Sequence, residues 1–285
     1  MRVLITGGSS LLGKALYQTV LPEHKLIMTW FTNTIGLPAY QFDVCNQSQI
    51  AYVFDLVKPE VVIHCAAIGS VDLAEKDYQT VYTVNVTGTE NILTMAQAYR
   101  AKFVYISSNA VFDGNNPPYS ETSERHPINR YGSIKRQAED AVMKCYNWLI
   151  IRPFLMYGWP WSNGRQNWMT IVRDKLIKGE KLQLVNDIYW QPTLAQDVAR
   201  AIWQLIEVSP RNEIYHVASI DRMTLYQFGE LVADRFGLDK QLLEPVSREA
   251  FSHLAPRPID TTYDVSKIAM LGITCKSVEE GLKEL

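Results

Sequence analysis

Cysteine, excess charge and long hydrophobic runs are all scarce in this chain, and each scarcity closes off a class of protein. The 285 residues hold four cysteines, Cys45, Cys65, Cys145 and Cys275, with no C-x-x-C pair, and five scattered histidines. That spacing argues against a disulfide framework and against a zinc-type ligand set, so reduced thiols in the cytoplasm and no bound metal are expected. Lys and Arg total 28 against 30 Asp and Glu, a net charge of −2, which leaves no electrostatic footprint for nucleic acid. No apolar run reaches the roughly 18 residues of a membrane span. A strand beginning at residue 2 leaves no room for a secretory signal, and repeats and biased tracts are absent.

What is present starts at once. Arg2-Val3-Leu4-Ile5-Thr6 is an apolar, β-branched run that reads as a buried strand. The loop Gly7-Gly8-Ser9-Ser10-Leu11-Leu12-Gly13 and a stretch with helical spacing follow it. Strand, tight turn and helix in that order can seat a pyrophosphate on the helix N-terminal amides, with Gly7 allowing the turn and Gly13 a close helix–sheet approach. The spacing is Gly-x-x-Ser-x-x-Gly, so Ser10 stands where a middle glycine is usual, and its hydroxyl can donate to a phosphate oxygen. The carboxylate expected about 20 residues further on, to hold an NAD ribose, is missing. The second strand instead ends in Thr29-Trp30-Phe31-Thr32-Asn33. Thr29, Thr32 and Asn33 can donate to a 2′-phosphate, which tilts the reading towards NADP over NAD. Asp43 is placed either for an adenine or as a turn cap.

Two further elements supply chemistry. Phe103-Val104-Tyr105-Ile106 is a strand tipped by Ser107-Ser108, and Tyr131-Gly132-Ser133-Ile134-Lys135 opens an amphipathic helix. Tyr131 and Lys135, four apart, share one helix face. A free tyrosine ionises near 10, so working as a proton donor or acceptor near neutrality requires lowering that value by about 3, worth roughly 4 kcal/mol. Lys135 and an oxidised nicotinamide are the expected sources of the positive charge. In a reduction Tyr131 would give its proton to the carbonyl oxygen, Ser108 would hydrogen-bond that oxygen, and Lys135 would also hold the nicotinamide ribose. Tyr263 and Lys267 repeat the spacing without a serine-tipped strand before them, so Tyr263 is expected to be a packing residue.

Short apolar strands alternate with helical stretches, including residues 47–57 and a long run over 80–99, until about residue 153. This alternation predicts an α/β fold, a doubly wound parallel sheet of Rossmann-like type with a smaller C-terminal lobe for the substrate. Ligands bind beyond the C-terminal ends of such strands, which is where Gly7, Ala66, Ser108 and Pro153 fall. The expected division is a core of residues 1–155 completed by about 195–220, with 156–194 and 221–285 as the lobe. Trp159, Trp161, Trp168 and Trp190 can stack on a sugar or base, or pack the lobe. Thr224 with Gln227 and Ser277 with Glu280 have capping-box spacing. Arg257, between two prolines, either contacts a substrate diphosphate or bridges lobe and core.

The order of these motifs resembles the extended short-chain dehydrogenase/reductase family. His64-Cys65-Ala66-Ala67 and Val84-Asn85-Val86-Thr87-Gly88-Thr89 are similar to that family's strand-end motif and central helix. Residues 107–114, 118–121 and 255–258 are similar to segments of dTDP-4-dehydrorhamnose reductases. The resemblance implies that Ser10, Leu11, Leu12, Asp43, Val44, Cys65, Ala66 and Ala67 line the cofactor, and that Ser108, Tyr131 and Lys135 are catalytic. Gly7, Ser9, Gly13, Thr29, Ser107 and Pro153 complete the expected cofactor set. Ser108, Asn109, Leu155, Trp190 and Arg257 form the expected substrate set, with Leu155 standing where rhamnose-pathway enzymes tend to carry a tryptophan. The implied activity is NAD(P)-dependent reduction of a 4-keto nucleotide sugar; neither nucleic acid nor membrane is an expected partner, and monomer and homodimer are both open. An epimerase or dehydratase of the same family is the alternative enzyme, although Asn109 and Ala110 after Ser108 offer no acid for dehydration. A non-catalytic regulatory subunit like the beta subunit of methionine adenosyltransferase is the alternative outside catalysis.

Overall fold

Four short runs of apolar residues, Arg2–Thr6 (β1), Val61–His64 (β4), Lys102–Ile106 (β5) and Trp148–Pro153 (β6), are buried along almost their whole length. Strands need that composition when helices cover both faces of a sheet. The computed structural model describes residues 1–208 and 210–285. Its central sheet has seven parallel strands in the order Glu213–Val217, β6, β5, β4, β1, Lys25–Trp30 (β2), Tyr40–Gln41 (β3). The chain runs outward from β1 to β3 and then crosses back to β4. The crevice between the C-terminal ends of β1 and β4 is therefore the switch point where this architecture receives ligands. Thr6 and His64 face each other across it in register.

Helix Leu11–Thr19 (α1) packs with Ala195–Val208 on one face of the sheet, around Leu16, Ile5, Ile202 and Trp203. On the other face Gln47–Val57 (α2), Val71–Lys76 (α3), Tyr78–Tyr82 (α4), Gly88–Ala98 (α5) and Arg130–Val142 (α6) enclose Phe54, Val62, Ile92 and Ile134. A third apolar cluster, centred on Phe228, Leu184 and Met169, belongs to a region that holds Trp168–Ile177 (α7), Leu225–Phe236 and Val278–Lys283. Both expected capping boxes form, at Thr224 with Gln227 and at Ser277 with Glu280.

The expected single helical run over residues 80–99 is instead broken by a π-helical turn at Thr83–Thr87. Two tight requirements meet there. A Cβ on Gly88 would stand 2.6 Å from Val44 Cγ2, so α5 presses on the loop after β3. Asn85 is drawn towards the loop after β4, where its Oδ1 accepts from Ile68 N and its Nδ2 donates to Ile68 O. The wider turn serves both contacts, in keeping with where such bulges occur.

Candidate active site

The loop after β1 is shaped by backbone-to-backbone contact. Gly7 has φ +68°, and a Cβ there would lie 2.6 Å from Ala66 N and Cα. Only glycine fits that approach to the end of β4. The reason for Gly13 differs from the sequence expectation. Its Cβ would meet Gly8 O at 2.5 Å, so it presses on the loop itself and not on the sheet. Ser10 is the N-cap of α1, and its Oγ accepts from Gly13 N at 3.0 Å. The amides of Leu11 and Leu12 have no acceptor among the described residues. A glycine cradle with outward helix amides and a neighbouring hydroxyl fits the pyrophosphate of a dinucleotide. Ser9 is half-buried on the same loop.

Thr29 holds this loop by its carbonyl, which accepts from Gly8 N at 2.7 Å. Its hydroxyl is buried and donates to Ile5 O, so it does not reach out to a ribose phosphate as the sequence suggested. Asp43 is a turn cap, with one carboxylate oxygen accepting from Cys45 N at 2.8 Å. Val44 is buried beneath Gly88.

A chain of hydrogen bonds stiffens the far wall of the crevice. Thr89 Oγ1 donates to Asn85 O at 2.7 Å, which spends its only proton, so His64 Nε2 must donate to Thr89 and His64 Nδ1 must accept from Thr6. Burial first, and the Lys135 charge second, hold His64 down at about 3, so the ring is neutral. Ala66 N donates to Thr6 Oγ1 and Cys65 N to Thr6 O. The segment Cys65-Ala66-Ala67 is thereby fixed against β1, and burial pushes the Cys65 thiol up to about 12, far from a thiolate.

Opposite this wall stand the three expected catalytic residues. Ser108 caps a short turn, its Oγ accepting from Ala110 N at 3.2 Å and donating to Asn109 Oδ1 at 3.3 Å, and its side chain stands beside the Tyr131 phenol, whose ionisation it favours. Asn129 caps α6 by accepting from Gly132 N at 2.8 Å. Tyr131, Lys135 and Glu139 follow at helical spacing along the buried face of α6. Lys135 Nζ donates to Ile106 O at 2.9 Å and to Tyr105 OH at 3.3 Å. Glu139 is fully buried in a two-pronged pair with Arg152, at 2.8 and 2.7 Å, and also receives Arg125. Ser107 and Pro153 are buried at the tips of their strands.

The electrostatics correct one expectation. Burial pushes the Tyr131 phenol up to about 12, against the opposing pull of Ser108 and of the Arg165 guanidinium. The phenol is therefore not lowered towards neutrality. The charge of Arg165 reaches the phenol, while Lys135 Nζ is bonded to Ile106 O and Tyr105 OH. Lys135 itself is lowered to about 8 by burial, with Glu139 opposing.

Residues 1–285 match the RmlD substrate binding domain family. The chain belongs to that family, within the extended short-chain dehydrogenases/reductases. Among solved structures it resembles dTDP-4-dehydrorhamnose reductase of Bacillus anthracis, determined in complex with NADP. The two are 30% identical with a TM-score of 0.89, covering 99% of this chain and 97% of that one. The Clostridium acetobutylicum reductase gives 28% and 0.87, with 100% and 98% covered. Methionine adenosyltransferase 2 subunit beta of Xenopus laevis is 31% identical over 279 residues, 95% of this chain and 83% of that protein.

In this RmlD-type chain the expected substrate residues have the following partners. Arg257 gives both terminal nitrogens to Asp72, each at 2.7 Å, and its Nη1 also donates to Ala255 O. Its fork joins residues 255–258 to α3. Asn109 Nδ2 donates to Thr261 at 2.7 Å while its Oδ1 accepts from Ser108, so this amide ties the serine turn to the segment around Thr261. Leu155 packs between two apolar clusters. Trp190 lies edge-on to Phe154, and its buried Nε1 has no partner among the described residues. Trp159 packs on Phe236 under Arg173. Tyr263 is buried, stacked on His216 at 3.8 Å, and Lys267 pairs elsewhere with Glu213.

Sequence reasoning missed three participants. Glu139 had a signal, since it continues the spacing of Tyr131 and Lys135. Trp161, weighed as a ligand stacker or as lobe packing, folds back so that its Nε1 donates to Gly8 O at 2.9 Å, with Lys14 over its ring. Arg165 had no local signal at all.

Proposed function

We propose that this protein is an NAD(P)-dependent reductase of a 4-keto nucleotide sugar, with residues 156–194 and 221–285 as the substrate lobe. The observation that carries the reading is Tyr131, a phenol kept protonated by burial and set beside Ser108, at the mouth of a crevice whose opposite wall is a glycine cradle for a dinucleotide. Gly7, Gly13, Ser10 and the Leu11 and Leu12 amides would hold the pyrophosphate, and Cys65-Ala66-Ala67 would line its path. When bound, the nicotinamide supplies hydride to the carbonyl carbon. Tyr131 delivers a proton to the carbonyl oxygen, and a phenol protonated across the neutral range suits a reduction. Ser108 orients that oxygen and then bonds the phenolate left behind. The B. anthracis reductase, solved with NADP, supports NADP as the cofactor, and the absence of a carboxylate after β2 agrees with it.

A second reading, a regulatory subunit of a methionine adenosyltransferase, is favoured by the 31% identity to such a subunit. Loss of NADPH absorbance on adding dTDP-4-keto-L-rhamnose, generated in situ, is the discriminating measurement. Oxidation supports the reductase. Cofactor binding with no oxidation on any 4-keto nucleotide sugar, together with a changed rate when the protein is mixed with a methionine adenosyltransferase, supports the regulatory reading.

A further inference from the structure

Residues 158–167 form a strap between the strand Met156–Tyr157 and α7, and it is fastened at both ends. Lys14 Nζ donates to Pro160 O at 2.8 Å, Trp161 Nε1 to Gly8 O at 2.9 Å and Asn163 Nδ2 to Thr34 O at 2.9 Å. Asn167 closes the other end by donating to Gly158 O at 2.8 Å and accepting from Met169 N. Inside it Gly164 makes a turn so tight that a Cβ would meet Pro160 at 3.0 Å and Trp161 at 3.1 Å. Arg165 follows directly, so its backbone is placed by the fold.

Its side chain crosses to the crevice. A Cβ on exposed Gly69, in the loop after β4, would stand 3.6 Å from Arg165 Nη1, and the guanidinium's charge is felt by the Tyr131 phenol. Four other cations of this region are committed. Arg257 is taken by Asp72, Arg130 by Glu75, Lys14 by Pro160 O and Lys135 by Ile106 O. Arg165 is exposed and makes no hydrogen bond or ion pair with any described residue. An unspent guanidinium fork beside a reacting phenol matches a phosphate in charge and in geometry.

We propose that Arg165 is the anion anchor of this cleft and holds the diphosphate of a nucleotide-linked substrate, the role its neighbour Arg257 cannot fill. The assignment rests on the reading of the cleft as a nucleotide-sugar site. In such a substrate the diphosphate leaves the ring on the side away from the 4-keto group, so its anchor stands near the phenol without touching it.

The test is equilibrium binding of thymidine diphosphate and uridine diphosphate to the NADPH-loaded protein, measured by calorimetry. Arg165→Ala is expected to weaken the better-bound of the two by about 10- to 100-fold, with Arg165→Lys recovering part of the loss. NADPH affinity should stay within about twofold, and Lys178→Ala, which removes an exposed charge from the end of α7, should change neither. Unchanged diphosphate affinity in Arg165→Ala overturns the proposal, as does an equal loss of NADPH affinity or a wild type that binds neither probe. The outcome is separable from turnover. Arg165-dependent binding without keto-sugar reduction removes the reductase and leaves the anchor standing, whereas reduction with an unchanged KM in Arg165→Ala removes the anchor alone.

Discussion

A side chain on Gly132 would place its Cβ 2.0 Å from the carbonyl oxygen of Ala110. Helix α6 is thus pressed against the turn that Ser108 caps, with no room for a methyl group between them. That contact sets the distance between Ser108 and Tyr131, the neighbour of Gly132. The glycine inside the Tyr-x-x-x-Lys motif therefore acts through packing.

Gly132→Ala should force α6 away from residues 108–110. Overpacking of this kind costs about 1–3 kcal/mol, and the displaced phenol loses its serine partner. Thermal unfolding should shift to lower temperature, and turnover should fall about 100-fold or more. Wild-type turnover in the variant would sink the packing argument.

Tyr131→Phe removes the proton donor while leaving the ring in place. NADPH affinity should hold within about twofold, while turnover falls by about 10²- to 10⁴-fold, the usual scale of a lost general acid. The same change at Tyr263, buried against His216 and Phe154, should leave the chemical step nearly unaltered. Single-turnover NADPH oxidation separates the two.

Burial lowers Lys135 to about 8. Below that pH it is an ammonium, and above it a neutral amine, so the charge is lost as pH rises. Turnover should decline with one proton's slope above about pH 8. Lys135→Arg keeps its charge to far higher pH, so whatever activity it retains should show that limb moved upward. A pH–rate profile with identical alkaline limbs in both proteins would remove Lys135 from the chemistry.

Trp161→Phe deletes the Nε1 donor to Gly8 O and leaves most of the ring on Lys14 and Tyr17. A lost hydrogen bond of about 1 kcal/mol should weaken NADPH binding about fivefold by loosening the glycine loop. Quenching of tryptophan fluorescence by NADPH in the wild type, reduced in this variant, gives an independent readout.

Short-range patterns carried much of this protein. Buried strands show as β-branched runs, helix faces as residues three and four apart, and helix starts as the capping boxes at Thr224 and Ser277. These alone order the sheet's elements and put Tyr131 and Lys135 on one face. The break at Thr83–Thr87 was invisible because its causes, Val44 against Gly88 and Ile68 against Asn85, lie outside the helix.

By itself the sequence determined that a strand, a glycine loop and a helix come first, and that a serine-tipped strand precedes a helix bearing phenol and amine. Those are local facts, governed by backbone geometry within a few residues. Only the tertiary structure decided which cations are consumed in ion pairs and which are left free of them among the described residues. Arg257 finds its carboxylate 185 residues away at Asp72, and Trp161 finds Gly8 across 153 residues. Guanidinium and indole donors bond whatever acceptor the fold brings to them, and that choice belongs to packing between distant segments, which no local periodicity encodes.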